Sequence, residues 1–425
     1  MTSPERLGCR DGLKTRAVGQ AAGAGRAPKL LFVVTEDWYF VSHRLQLAVA
    51  ASRAGYDVTV ATRAGRFSEL IREKGLKLCP IDFNRSGTGP VEEIRTLASL
   101  IKLYRRERPD IVHHVALKPV IYGSIAARAA RISGVVNALG GFGYVFSSEG
   151  AKAKILRLIA KPALRFALRG SNARLIVQNG DDLQRVVSGQ LADADTVRLI
   201  RGAGVDPDSY GAANFAAEPP LVILPARLLR EKGVGEFVAA ASLLRKRGTK
   251  ARFALVGQPD PANPASVTQE EVDAWVREGA VEYWGWQDDM PAVLSQAQIV
   301  CLPTYHEGFP KSLLEAAASR CAIVATDIPG CREIVKHGST GWLVPPRNAS
   351  ALADALHEAI KHPELRSRYG SAAFDLVKSS FSLDRIVSET LEIYDELLAA
   401  HDVALAPGAS FNRPNSHDRN VLPPR

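Results

Sequence analysis

The stretch Cys301–Asp327, CLPTYHEGFPKSLLEAAASRCAIVATD, decides the fold. It reads as strand, tight glycine loop, helix, short turn and second strand. Cys301–Tyr305 is a brief apolar run that ends at His306-Glu307-Gly308, and Pro310 stands where a first helical residue belongs. A proline fits there because its fixed φ suits a helix start and its missing N–H costs nothing. Lys311–Arg320 then carries Leu313, Leu314, Ala316, Ala317 and Ala318, strong helix formers with an apolar face. Ala322–Thr326 is apolar nearly throughout, as parallel strands covered on both faces are. A strand feeding a glycine turn and a helix N-terminus makes an anion site from backbone N–H groups and the helix dipole.

Two carboxylates ride on this unit: Glu307 in the loop and Glu315 eight positions later on the helix. A carboxylate accepts hydrogen bonds from hydroxyls well, and sugars and riboses are rich in hydroxyls. The same spelling also fits a Glu307 that only caps the helix and a Glu315 that faces solvent.

Upstream, Pro225-Ala226-Arg227-Leu228 ends an apolar run and is followed by Glu231-Lys232-Gly233-Val234. Together the two segments resemble the retaining glycosyltransferases of family four, which have the GT-B fold. Glu307-Gly308-Phe309-Pro310 with Leu314-Glu315-Ala316 is similar to that family's E-x7-E signature, and Arg227 and Lys232 to its diphosphate-holding pair. The resemblance spans about residues 29–400. It implies two doubly wound Rossmann-like domains facing a cleft, with a C-terminal helix crossing back to the first. It further implies a nucleotide-sugar donor, a UDP-sugar above all, held by Arg227, Lys232, Gly257, Gly285, Trp286, Glu307, Gly308, Phe309, Pro310, Leu314 and Glu315, with Arg227, Lys232 and Glu307 catalytic. No metal and no other cofactor is expected, since two fixed cations offset the charge on the leaving diphosphate.

The rest of the chain alternates strand and helix, which implies parallel sheets. Residues 1–28 lack periodicity and read as a disordered tail. Residues 29–200 form the first domain, the acceptor side by resemblance. Residues 201–220 are a linker dense in small residues and proline, 221–380 the nucleotide-sugar domain, 381–400 the crossover helix and 401–425 a disordered tail. In the first domain Leu30–Thr35, Asp57–Thr62, Leu76–Ile81, Asp110–Val115, Val135–Leu139, Arg174–Gln178 and Val197–Ile200 read as strands. Val91, Ile94, Ala98 and Ile101 mark a helical stripe. Ligands of such sheets bind beyond the strand ends, which makes His43, Lys118 and Gly141 the acceptor-side candidates. Many members of the family carry a histidine at the end of the fourth strand. Here His113 and His114 fall inside that strand, and Lys118 stands in the loop instead. Asp193-Ala-Asp195 and Asp206-Pro-Asp208 share the D-x-D spelling of metal-dependent enzymes, but they lie outside strand ends and read as turn and cap chemistry.

Charge divides unevenly along the 425 residues. Residues 1–200 hold 31 Lys/Arg against 17 Asp/Glu (+14), and 201–425 hold 23 against 28 (−5), giving the net +9. The basic half points to an anionic partner. No nucleic-acid-binding motif is present, so nucleic acid is not expected. Lys152, Lys154, Arg157, Lys161, Arg165 and Arg169, interleaved with Ile155, Leu156, Leu158, Ile159, Leu164, Phe166 and Leu168, describe a basic amphipathic segment, with Pro162 as a kink. Such a segment fits either an anionic membrane surface or an ordinary solvated helix face. No run of about 18 apolar residues is present, and the five cysteines form no C-x-x-C pair. The expected setting is the cytoplasmic face of the plasma membrane, with a peripheral attachment. The subfamily most resembled builds bacterial surface polysaccharide on polyprenyl-diphosphate carriers, so a lipid-linked saccharide is the expected acceptor. The rival functions are a soluble enzyme of the same fold with a small cytosolic acceptor, a UDP-sugar epimerase, and a non-catalytic phosphate- or nucleic-acid-binding protein.

Overall fold

The computed structural model describes residues 26–82, 90–141, 161–170, 172–213 and 218–405. Two parallel sheets organise the chain. The first has strand order β3-β2-β1-β4-β5-β6-β7. Its strands are β1 (Lys29–Glu36), β2 (Asp57–Arg63), β3 (Lys77–Pro80), β4 (Ile111–Val115), β5 (Gly134–Ala138), β6 (Ala173–Val177) and β7 (Val197–Leu199). The second has order β10-β9-β8-β11-β12-β13, from β8 (Leu221–Pro225), β9 (Arg252–Val256), β10 (Glu282–Gly285), β11 (Ile299–Leu302), β12 (Ala322–Thr326) and β13 (Trp342–Val344). In each sheet the order turns back beside the first strand, at β1/β4 and at β8/β11. Crevices at such reversals are where open α/β sheets bind ligands. The doubly wound pair implied by the resemblance is therefore present.

Apolar runs explain the strands. β4, β5, β8, β11 and β12 are buried at every position, as expected for strands covered by helices on both faces. The helix Leu383–Leu405 leaves the second half and lays Ile386, Val387, Ile393, Tyr394 and Leu397 into the core of the first sheet. Burying each aliphatic chain contributes about 1.5–3 kcal/mol, so this return helix is firmly attached. Its base is tied to the linker, where Val205 and Ser382 form a β-bridge.

Several expectations need correction. The return helix runs to Leu405, five residues beyond the expected edge of the tail. Residues 26–28 are held rather than loose: Arg26 pairs with Asp110 at 2.7 Å, and Pro28 O accepts from Asp57 N. The stripe Val91-Ile94-Ala98 lies on the outer side of helix Pro90–Glu107, with Val91 61% and Ile94 67% exposed, while Leu100, Leu103 and Tyr104 fill the core. The helices Gln269–Arg277 and Pro363–Ser380 were not anticipated. Pro310 is the cap before the helix, with extended backbone, and Lys311 is the first helical residue. Of the basic segment, residues 152–160 lie outside the described ones. In the helical turns 161–168, Leu164 and Leu168 point into the core, and of the large apolar side chains there only Phe166, 54% exposed, is offered to solvent.

Candidate functional site

The ends of β8 and β11 carry the charges. After Pro225 the chain turns through Arg227 into a short 3-10 turn, Arg230–Lys232, stopped by Gly233 at φ +72°. A Cβ at Gly233 would sit 2.1 Å from Pro303 O, so only glycine lets the Lys232 turn approach the β11 loop this closely. The result is a direct ion pair between Lys232 Nζ and Glu307 Oε1, both side chains largely sheltered. Gly257 solves the same problem at the end of β9, where a Cβ would meet Ala226 O at 2.0 Å. Its N–H donates to Gly285 O at 2.8 Å, so the turns after β9 and β10 are bonded side by side. Trp286, next in line, donates from Nε1 to Asp288 Oδ1 at 2.8 Å.

The first domain closes over these turns. Arg227 pairs with Asp260 at 2.9 Å and stacks 5.3 Å from the Trp38 ring, which follows β1. Arg66, after β2, lies 5.2 Å over the Trp286 ring and pairs with Asp288. Gly141, at φ +111°, abuts Gly308 so tightly that a Cβ on it would be 2.9 Å from Gly308 Cα. Arg227, Lys232 and Glu307 thus converge on the groove between the sheets and share it with Trp38 and Gly141.

On the helix Lys311–Ala318, Glu315 is nearly buried, paired with Lys311 one turn back, and accepts from Tyr210 OH at 3.1 Å. It is neither solvent-facing nor free. Two residues of the signature have side chains that face away from the groove. Leu314 is fully buried in the core. Phe309 packs edge-on against Phe381 at 5.1 Å and against Gly202, at the crossing between the halves. For both, contact with a donor would have to come from the backbone.

On the acceptor side, His43 ends the short helix Asp37–His43, its ring stacked on Tyr39 with centroids 4.2 Å apart. Burial first, then the charges of Lys311, Arg44 and Arg227, hold its pKa well below the ordinary histidine value. It is a neutral imidazole beside a cationic groove. Lys118 lies in the first turn of helix Leu117–Ala130, not in a loop, and pairs with Glu93 at 3.0 Å. His113 and His114 are core residues as expected: His113 Nδ1 meets Tyr394 OH at 2.6 Å, and His114 is held between Tyr104 OH and Asn137 Oδ1, each at 2.8 Å. Asp206 accepts from Asp208 N at 3.1 Å and Asp193 O from Thr196 N, which is the turn and cap chemistry anticipated. Among the described residues no three His, Cys, Asp or Glu side chains form a metal-holding group.

Sequence reasoning missed Trp38, Tyr39, Arg66, Lys311, Tyr210 and Asn179. All but Lys311, which stands one turn before Glu315 on the same helix, reach the groove across a long sequence separation that no local spacing announces. Only Asn179 carried a signal: Asn before Gly180-Asp181-Asp182 is the spelling of a helix N-cap.

Comparison with known proteins follows the same division. Residues 219–362 match the family described as "Glycosyl transferases group 1", and residues 29–179 the family "Glycosyl transferase 4-like". The chain is 26% identical over 357 residues to a Campylobacter jejuni N,N'-diacetylbacillosaminyl-diphospho-undecaprenol alpha-1,3-N-acetylgalactosaminyltransferase, covering 80% of this chain and 92% of that protein. It is 26% identical over 279 residues to an Escherichia coli UDP-Gal:alpha-D-GlcNAc-diphosphoundecaprenol alpha-1,3-galactosyltransferase, covering 63% and 70%. In fold it resembles an Anabaena protein solved with UDP and glucose, with TM-score 0.70 at 18% identity, covering 87% and 100%.

Proposed function

Given that this chain belongs to the glycosyltransferases of group 1, with a 4-like N-terminal half, we propose that it moves a hexose or N-acetylhexosamine from a UDP-sugar to a polyprenyl-diphosphate-linked saccharide, with retention of configuration. The observation that carries the proposal is the convergence of Arg227, Lys232 and Glu307 on one groove at the strand reversal of the second sheet. Relatives that act on undecaprenyl-diphosphate-linked sugars support the acceptor class.

The chemistry follows from those side chains. The bond between the anomeric carbon and the diphosphate oxygen breaks, and its electron pair leaves with the diphosphate. Arg227 and Lys232 offset that charge without a metal, each charge-assisted bond contributing about 1.5–3 kcal/mol. Lys232 and Glu307 neutralise one another. An arriving donor exchanges this pair: its phosphate takes Lys232, and its sugar hydroxyls take Glu307. Glu315 holds the ribose diol, with Lys311 and Tyr210 fixing its carboxylate. The acceptor oxygen bonds to the anomeric carbon on the departing face and its proton passes to a donor phosphate oxygen, so no protein base is required. Neutral His43 and Gly141 line the acceptor side.

A peripheral membrane site suits a lipid-carried acceptor. Among the described residues no helix is long and apolar enough to cross a membrane. The basic segment Lys152–Arg169, with exposed Phe166 beneath the Arg128 guanidinium at 4.3 Å, offers cations and one aromatic ring to anionic headgroups. Each cation near such a surface contributes about 1 kcal/mol.

The test is a nucleotide-sugar panel with a polyprenyl-diphosphate saccharide, read as nucleoside diphosphate release with and without EDTA and as product mass. EDTA-insensitive release coupled to a lipid-linked product of retained configuration is expected. No release with any donor, release only to a small soluble acceptor, or interconversion of free sugars would overturn the proposal in favour of a binder, a soluble transferase or an epimerase.

A further inference from the structure

We propose that Asn179 is a positioning residue of the transfer reaction: from the first domain, it fixes the loop of the second domain that carries Glu307. The inference rests on the glycosyl-transfer proposal above. Asn179 follows β6 and is 1% exposed. Its partners dictate the amide orientation. Asp182 N can only donate, so it faces Oδ1 at 2.8 Å, and Gly308 O can only accept, so it faces Nδ2 at 2.8 Å. Nδ2 also donates to Asp182 Oδ2 at 3.0 Å. Helix capping alone needs only the oxygen, which serine, threonine or aspartate would supply. The second half of the amide is spent across the groove, on the peptide next to Glu307.

The loop it grips has little room elsewhere. A Cβ at Gly308 would lie 2.2 Å from Gly140 O, and one at Gly330 would lie 2.5 Å from Glu307 O. The loop is therefore walled by the first domain on one side and by helix Pro329–Ile334 on the other. A second tie reaches that helix: Glu333 Oε1 accepts from Gly180 N at 3.0 Å, and its Oε2 accepts from Arg201 Nε at 2.9 Å. Neighbouring residues 179 and 180 thus each donate one hydrogen bond to the second domain. Contact between the domains thus adds to the Lys232 pair in placing Glu307, and displacement by about 1 Å suffices to cost large factors in rate.

The test uses Asn179→Ser, which keeps the capping oxygen but is too short for Gly308 O, and Gly308→Ala, which presses on the contact from the other side and leaves the cap intact. Turnover should fall about tenfold in each, since one hydrogen bond and its geometry are lost. UDP binding by Asn179→Ser should stay within twofold. Amide hydrogen exchange of Asn179→Ser should quicken over residues 307–314 and stay unchanged over 181–188. Wild-type turnover in both variants, or faster exchange confined to 181–188, reduces Asn179 to a helix cap and overturns the inference. Absence of turnover in the wild-type protein sinks the transfer proposal instead, while the exchange measurement still decides the role of Asn179.

Discussion

In the second half of the molecule the charged residues at the strand ends, Arg227, Lys232 and Glu307, pair beside an open groove. In the first half the equivalent polar residues of β4 are consumed inside the core, where His113 and His114 bond to Tyr394, Tyr104 and Asn137. Two sheets with the same reversal thus do different work. One keeps ion pairs at the groove, which in the proposed reaction a phosphate and a sugar take over. The other uses its polar groups to hold its own strands and the return helix, and presents to the groove Trp38, Tyr39, a neutral His43 and Gly141, with Arg66 tied to Asp288 at its edge. The asymmetry suits a reaction in which one substrate leaves as an anion and the other enters as a hydroxyl.

The sharpest way to break this contrast is to remove a cation from the donor side. Arg227→Ala or Lys232→Ala should lower turnover by about 10²–10³-fold, the usual cost of losing one group that stabilises developing negative charge. Binding of free nucleoside should change far less. Near-normal turnover in both variants would erase the distinction between the halves.

The first half has its own predicted contact, outside the groove. Neutralising Lys152, Lys154 and Arg157 together should cost about 3 kcal/mol of attraction to anionic vesicles, seen as loss of flotation, while transfer to a detergent-solubilised acceptor persists. Unchanged flotation would return the segment to an ordinary solvated face.

The buried histidines supply a measurement of the first half alone. Burial lowers the pKa of His43, His113 and His114, taking His114 down to about 4. The unfolded chain takes up these protons near pH 6.5 and the folded chain only well below it. Stability is therefore complete above about pH 7 and is lost as the pH falls from there. Between pH 7 and pH 5, His114 alone should cost about 2 kcal/mol. His114→Gln should flatten the denaturant-measured pH slope by that amount, and an unaltered slope would contradict the assignment. The smallest effect concerns the D-x-D spelling. Asp206→Ala should cost about 1 kcal/mol of capping and leave turnover unchanged, whereas a lost, metal-dependent activity would make it a site residue.

The parallel strands are legible because most are short apolar runs, as at Leu30–Thr35 and Ala322–Thr326. The return helix was legible from its 3.6-residue pattern, though its end was not, since Ala400 to Leu405 contains no stop signal. Helix Gln269–Arg277 has a full capping box in Thr268 and Glu271, a local signal that its polar composition masks. At the site, Glu307 and Lys232 were visible because their motifs are short and local. Trp38, Asn179 and Tyr210 were not, because their importance is created by domain packing between residues more than 100 positions apart. Helical periodicity also misled at Val91 and Ile94, where an apolar stripe marks the helix but not its buried face.

The account turns on whether fixed cations hold the leaving group. A crystal structure with an unreactive UDP-sugar analogue, grown in the presence of EDTA, tests this most directly. The predicted result has diphosphate oxygens within hydrogen-bond distance of Arg227 and Lys232, the Lys232–Glu307 pair opened, and Glu307 on the sugar hydroxyls. A diphosphate bound elsewhere with that pair intact would contradict it.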